Sequence, residues 1–174
     1  MKRILVAGIG NLFLGDDAFG VEVVRQLALH SLPDGITVID FGIRGLDLAY
    51  ALLDGYDLAI LIDTTQRGGA PGTLYVLEPD TDHWRADQPA ADAHGMVPEQ
   101  AIRFARMLGD KLPPLRIIGC EPAAFDSGAD GTFRLSEPVQ AAVEPAIELV
   151  RSLIAEVLGT AEVETTGLSC MSWE

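Results

Sequence analysis

A short apolar run that enters a glycine turn opens the chain and constrains its fold more than any other feature. Residues 4–7 have the length and continuity of a buried β-strand, and Gly8 and Gly10 supply the turn that follows. Two carboxylates, Asp16 and Asp17, stand just before a pattern with helical spacing. Ligands of open α/β sheets bind in the crevice beyond the strand ends, so this pair is a candidate functional site.

One of these two carboxylates has a simpler structural interpretation. Asp is a common helix N-cap, and a negative charge is favoured at the positive end of the helix dipole. We expect one member of the Asp16–Asp17 pair to do only this. The sequence alone does not say which.

Strand and helix patterns alternate along the first half of the chain. After a first helix to about residue 31 come an apolar strand at 36–39, a short helix around 46–53 and a strand at 58–62 that is apolar throughout. This alternation predicts a parallel sheet with right-handed crossovers. Continuous apolarity is typical of a strand covered on both faces, so the third strand is expected at the centre.

The next strand breaks the parallel pattern. The turn that leads into the next strand, at 73–77, has only seven residues, 66–72. A crossover helix needs a dozen or more residues, so this strand is expected to run antiparallel to its predecessor, at an edge. A helix beginning near Pro98 and a last strand at 115–118 follow.

We therefore predict an α/β fold of three layers: a mostly parallel twisted sheet of about five strands, with helices on both faces and one antiparallel edge strand. Residues 1–159 are expected to form a single domain. Its final helix begins at Ser136, and Pro145 is expected to kink or divide it. Residues 160–174 show no periodicity, which predicts a flexible tail.

The composition excludes several classes of partner. Twelve Lys and Arg against 26 Asp and Glu give a net charge of −14, whereas nucleic-acid binding depends on basic clusters. No apolar run approaches the roughly 18 residues of a membrane-spanning helix. The two cysteines, Cys120 and Cys170, have no metal-ligand spacing, and Cys120 is expected to be a buried small hydrophobe. We expect a cytoplasmic protein, monomeric in isolation, with neither nucleic acid nor membrane as a partner.

Three chemically useful side chains are expected to meet at the carboxyl edge of the sheet. Asp17 follows the first strand, Asp63 follows the third, and His94 lies in a long polar loop before the third helix. Two carboxylates and an imidazole suit a first-row divalent metal ion with coordination positions left open. Asp40 and Glu121 end or follow strands at the same edge and are candidates for substrate contact.

Four segments, taken together, resemble the hydrogenase maturation proteases: Gly8–Asp17, Ile60–Asp63, His94–Pro98 and Gly119–Pro122. These endopeptidases remove the C-terminal extension of the nickel-iron hydrogenase large subunit. The resemblance extends, in order and spacing, over about residues 3–158.

The resemblance implies roles for particular residues. The metal-contacting positions of the family fall on Asp17, Asp63 and His94, and the two carboxylates are also the catalytic candidates. Asn11, in the first segment, is a further candidate for substrate contact. The metal is nickel already inserted in the large-subunit precursor, so the partner protein supplies it, and no organic cofactor is expected. A weak three-ligand site would bind the precursor tightly only when the nickel completes the coordination.

Two other functions fit parts of the sequence. The turn from Gly8 to Gly10 begins a dinucleotide fingerprint and would give a nucleotide or small-molecule binder a phosphate nest, although Phe13 stands where the third glycine is expected. A peptidyl-tRNA hydrolase also opens with a strand and Gly-x-Gly-Asn. Its substrate is a polyanion, which a chain of net charge −14 repels.

Overall fold

The computed structural model describes residues 1–79, 96–109, 111–123, 134–159 and 171–172. The elements in chain order are β1 (Ile4–Ile9), a 3₁₀ turn (Gly15–Ala18), α1 (Phe19–Leu27), β2 (Ile36–Gly42), α2 (Gly45–Ala51), β3 (Leu58–Thr64), β4 (Leu74–Glu78), α3 (Met96–Leu108), β5 (Leu115–Cys120), α4 (Glu137–Ala141), α5 (Val143–Leu158) and β6 (Met171–Ser172).

The strands form one mixed sheet in the order β2-β1-β3-β5-β4-β6. Strands β1, β2, β3 and β5 are parallel, and β4 runs antiparallel to β5 as the last strand of full length on its side. The predicted fold class is therefore confirmed. The two residues of β6 pair in parallel with β4, and the rest of the predicted tail, 160–170 and 173–174, lies outside the described residues.

Helices cover both faces of the sheet because its strand residues alternate between two apolar clusters. Ile60 and Ile62 of β3 pack in one cluster with α1 and α5, whereas Ala59 and Leu61 pack in the other with α2 and α3. This period of two is the pleat of a strand buried on both sides. The sheet is therefore the middle of three layers. No helix in the described part of the chain is long and apolar enough to cross a bilayer.

The final helical segment is divided, as predicted. Helix α4 ends at Ala141 and α5 begins at Val143, two residues before Pro145. Proline has no backbone N–H, and its ring clashes with the carbonyl four residues earlier, which here belongs to Ala141. The break therefore lies at the position where the proline forbids a continuous helix.

Two glycines let α1 lie directly against the first and third strands. A Cβ at Gly20 would overlap the carbonyl oxygens of Ile62 and Ile9, and one at Gly8 would overlap the carbonyl oxygen of Gly20 and the side chain of Val24. Backbone atoms surround Gly20, so no side-chain rotation can make room. The close packing that a dinucleotide fingerprint assigns to its third glycine is provided here by Gly20.

Gly20→Ala is expected to destabilise the protein by about 3 kcal/mol, because the added methyl group must displace helix from sheet. Gly68→Ala is the matched control: Gly68 has φ +78° but open space around its Cβ position. Its cost is therefore limited to backbone strain of about 1 kcal/mol. Guanidinium unfolding monitored by circular dichroism measures both free energies, and equal losses would contradict the close-packing argument.

Candidate active site

Asp17 lies at the carboxyl edge, held by the loop that follows β1. Its Oδ2 accepts a hydrogen bond of 2.8 Å from the backbone N–H of Asn11, and its Oδ1 lies 3.4 Å from the hydroxyl of Thr64, which donates to it. The first contact closes the loop between β1 and the 3₁₀ turn. The second joins Asp17 to the end of β3.

Asp63 is the last residue but one of β3 and is nearly buried, with 8% of its surface exposed. Its Oδ1 accepts a hydrogen bond of 2.7 Å from the backbone N–H of Thr64. Thr64 therefore contacts both acids, one through its backbone and the other through its hydroxyl. The structure brings Asp17 and Asp63 together, as the sequence predicts.

This proximity is visible in the electrostatics of Asp63. Burial, and secondarily the negative charge of Asp17, raise the pKa of the Asp63 carboxyl to about 8, against the opposing effect of the Thr64 N–H. Two carboxylates this close, one of them desolvated, disfavour the doubly charged state. A cation placed between them removes that penalty, so the pair is suited to bind one.

The neighbouring acid, Asp16, has a different task. It is 1% exposed, and its carboxylate accepts hydrogen bonds from the backbone N–H of Ala123 and from both the N–H and the hydroxyl of Ser136. Ser136 is the N-cap residue of α4. Asp16 thus ties the loop after β1 to the segments after β5 and before α4.

The expectation that one acid of this pair caps the helix it precedes is wrong. Neither the 3₁₀ turn nor α1 receives a side-chain cap hydrogen bond. Asp16 instead satisfies donors more than 100 residues away in sequence, at separations of 107 and 120. Spacing alone carries no signal for such a contact.

Glu121 is buried at the same edge, but its carboxylate holds a loop. It accepts hydrogen bonds from the backbone N–H groups of Arg67 (2.8 Å) and Gly68 (3.1 Å) and from the hydroxyl of Tyr75 (3.0 Å). Burial raises the pKa of Glu121, but these donors and the N–H of Gly69 outweigh it and leave the pKa below its ordinary value. The described contacts of Glu121 thus fix the loop that follows Asp63 and Thr64.

The other two predicted substrate contacts lie on the β1–β2 side of the edge. The side chain of Asn11 accepts a hydrogen bond from the N–H of Phe13, which stabilises the turn. Asp40 lies within β2 and forms an ion pair of 3.3 Å with Arg25. Strand β1 separates Asp40 from the strand that carries Asp63, so Asp40 is not part of the acid pair.

The glycine turn does not form a phosphate nest. The N–H of Gly10 donates to the carbonyl of Gly42, and the N–H of Asn11 donates to Asp17. These two donors are used within the protein and are not available to a phosphate, which argues against the nucleotide-binding alternative. Cys120 is fully buried, as predicted, and burial with the nearby Asp16 and Glu121 raises the pKa of its thiol to about 12. It is not a nucleophile at neutral pH.

The predicted third ligand, His94, lies outside the described residues. Within the described ranges, no group of three or more His, Cys, Asp or Glu is arranged to hold a metal ion. Two carboxylates and one imidazole remain a donor set that fits a first-row divalent ion. The meeting of His94 with the acid pair stays a prediction.

Sequence reasoning missed Thr64, the residue that links the two acids. Its position directly after a strand-end aspartate was the one available signal, and a threonine there has many ordinary explanations. The structural use of Asp16 and Glu121 was also missed, because their partners come from distant segments.

Comparison with known proteins agrees with the motifs. The family model described as hydrogenase maturation protease matches residues 21–153. A putative hydrogenase maturation protease of Methanocaldococcus jannaschii is 36% identical over 150 residues, which are 86% of this chain and 94% of the relative. The hydrogenase expression/formation protein HupD of Bradyrhizobium diazoefficiens is 32% identical over 156 residues, 89% of this chain and 79% of the relative.

The fold agrees as well. The hydrogenase maturating endopeptidase HybD of Escherichia coli superimposes with a TM-score of 0.74 at 27% identity, covering 91% of this chain and 94% of the neighbour. A nickel-iron hydrogenase maturation protease HycI of Thermococcus kodakarensis gives a TM-score of 0.67 at 25% identity, covering 91% and 93%. With the family model spanning most of its length, this chain belongs to the hydrogenase maturation proteases.

Proposed function

We propose that this protein is an endopeptidase that removes the C-terminal extension of a nickel-iron hydrogenase large-subunit precursor, and that it recognises nickel already inserted in that precursor. The observation that carries the proposal is the Asp17–Asp63 pair at the carboxyl edge of the sheet, in a chain of this family. Membership supports the peptidase activity. The chemistry of the pair supports the recognition of a cation.

The Asp17–Asp63 pair supplies too few ligands to hold a free nickel ion tightly, and this supports recognition of nickel within the precursor. Two carboxylates with one imidazole leave coordination positions open and bind a free ion weakly. A precursor whose nickel brings its own ligands completes the coordination, so the loaded precursor binds more tightly than the empty one. Metal insertion is thereby converted into a difference in affinity, and premature cleavage is avoided.

The position of α3 supports a role for His94, which precedes that helix by two residues. Gly109, just beyond α3, lies against Leu53, just beyond α2, so the two packed helices end together. Helix α2 follows β2 and therefore begins at the carboxyl edge. Because α3 ends beside the end of α2, α3 also begins at that edge. Asp63 continues the row of Ala59 and Leu61, which faces these two helices.

The acid pair also supplies what peptide hydrolysis needs. An attacking water must lose a proton, and a carboxylate within reach is a common acceptor. We assign this role to Asp17 or Asp63, because the carboxylates of Asp16 and Glu121 each accept three hydrogen bonds that hold other segments in place. A cation bound beside Asp63 favours the charged form of its carboxyl, which the protein alone disfavours at neutral pH. Nickel in the precursor fixes the scissile bond beside them.

Incubation of nickel-loaded precursor with Asp63→Asn and with His94→Ala tests the site. Each variant is expected to cut at least about 100-fold more slowly than wild type, because each removes a side chain that would contact the nickel of the precursor. Asp34→Asn is the control, since Asp34 is an exposed acid just before β2, at the opposite edge of the sheet. Full processing by both site variants would contradict the assignment, and gel separation of precursor and product measures it.

Withholding nickel tests the recognition. The same precursor prepared without nickel is expected to remain uncut by the wild-type protein, because the coordination is incomplete. Adding nickel to the precursor and removing the excess should restore cleavage. Equal cleavage of the empty and loaded precursors would refute nickel recognition while leaving the peptidase activity in place.

A further inference from the structure

Five exposed apolar side chains lie on the two loops that leave β1 and β2 and on the helix that follows. Phe13 is 65% exposed and Ile43 is 67% exposed, although both lie in ordered turns. Leu14, Leu46 and Tyr50 are also exposed. We refer to these five residues as the apolar rim. Several exposed apolar side chains on neighbouring loops are a typical feature of a binding surface.

The loops of the apolar rim are held by hydrogen bonds, one of which joins them while the others lie within each loop. The N–H of Gly10 donates to the carbonyl of Gly42 at 3.1 Å, which joins the turn after β1 to the end of β2. The N–H of Phe13 donates to the side chain of Asn11 at 3.0 Å, and the N–H of Arg44 donates to the carbonyl of Phe41 at 2.9 Å. The apolar groups are therefore presented by a preformed surface.

This surface is continuous with the candidate active site. Asn11 donates its backbone N–H to Asp17 and accepts the N–H of Phe13 with its side chain, so one residue positions both the acid and the rim. Leu14 lies three residues before Asp17. Phe13 and Leu14 are therefore exposed in the same loop that positions Asp17.

We propose that the apolar rim binds an apolar segment of the hydrogenase precursor, flanked by Lys or Arg, next to the bond that is cut. This inference rests on the proposed function and adds to it a polypeptide contact separate from nickel. The apolar character of the rim selects the apolar segment. The charge of the protein, 26 acids against 12 bases, selects the basic flanks.

The double variant Phe13→Ser/Ile43→Ser tests the proposal. With nickel-loaded precursor, its KM and its dissociation constant are expected to rise roughly 30-fold, because truncated apolar anchors lose most of their binding energy. Its kcat should stay within about threefold, since the acids remain in place. Leu29→Ser is the matched control: Leu29 is 85% exposed and lies beyond the end of α1, at the opposite edge of the sheet.

The outcomes separate this inference from the proposed function. If wild type cuts the loaded precursor and the double variant does so with unchanged KM, the rim is refuted and the peptidase stands. If wild type neither binds nor cuts the precursor, both are refuted.

A dimer of the wild type that the double variant dissolves would show that the rim binds a second copy instead. A KM of the wild type that does not rise with added salt would refute the basic flanks. Thermal unfolding of each variant confirms that it is folded.

Discussion

Replacing Asp63 with asparagine is expected to stabilise the metal-free protein at neutral pH while removing its activity. The carboxyl of Asp63 has a pKa of about 8 in the folded protein, chiefly because it is buried, against an ordinary value of 3.8 in the unfolded chain. Asparagine has the same shape and keeps an acceptor for the N–H of Thr64. It needs no proton to remain neutral.

The sign of the pH dependence follows from this raised pKa. Below pH 3.8 the carboxyl is protonated in both states and its full contribution to stability is present. Between that pH and about 8 the unfolded chain releases a proton that the folded protein retains. The wild type therefore loses about 1.4 kcal/mol of stability for each pH unit in this window, relative to the variant.

Unfolding of both proteins by guanidinium in EDTA, from pH 4 to pH 9, measures the difference. The free energies of unfolding are expected to be similar near pH 4, to diverge in favour of Asp63→Asn as the pH rises, and to differ by a constant amount above pH 8. Other titrating groups cancel because they are common to the two proteins. A difference that does not change with pH would contradict the raised pKa. This gain of stability with loss of activity is the trade-off expected of a residue retained for chemistry.

The adjacent acids Asp16 and Asp17 are expected to respond differently to alanine: Asp16→Ala mainly lowers stability, and Asp17→Ala mainly lowers activity. Asp16→Ala removes the acceptor of three hydrogen bonds, from Ala123 and from two donors of Ser136, and is expected to cost about 3 kcal/mol. Asp17→Ala loses the bond from the N–H of Asn11 and the long bond from the hydroxyl of Thr64, but it also relieves the repulsion with Asp63. Its cost in stability is expected to be about 1 kcal/mol or less.

Each variant serves as the control for the other, since they differ by one position. Asp17→Ala should keep the melting temperature close to that of the wild type and lose cleavage of the loaded precursor, whereas Asp16→Ala should lower the melting temperature by several degrees. Reversed effects would mean that Asp16, and not Asp17, is the acid of the site. Differential scanning calorimetry and the cleavage assay together decide this.

The strand and turn patterns predicted the sheet because they depend on local chemistry. Leu58–Ile62 is apolar at every position, and the structure places that strand between β1 and β5 with both faces covered. Asp17 and Asp63 were predicted to share an edge because parallel strands end on the same side. The position of β5 between β3 and β4 had no such signal, since it depends on which edges find each other in three dimensions.

By itself, the sequence determined the layered fold and predicted that Asp17 and Asp63 lie together at its carboxyl edge. The tertiary structure alone decided what the other acids at that edge do. Asp16 and Glu121 look as reactive in the sequence as Asp17, but buried donors from distant segments engage their carboxylates. A buried N–H must find an acceptor, and which carboxylate it finds depends on how the folded chain brings the loops together.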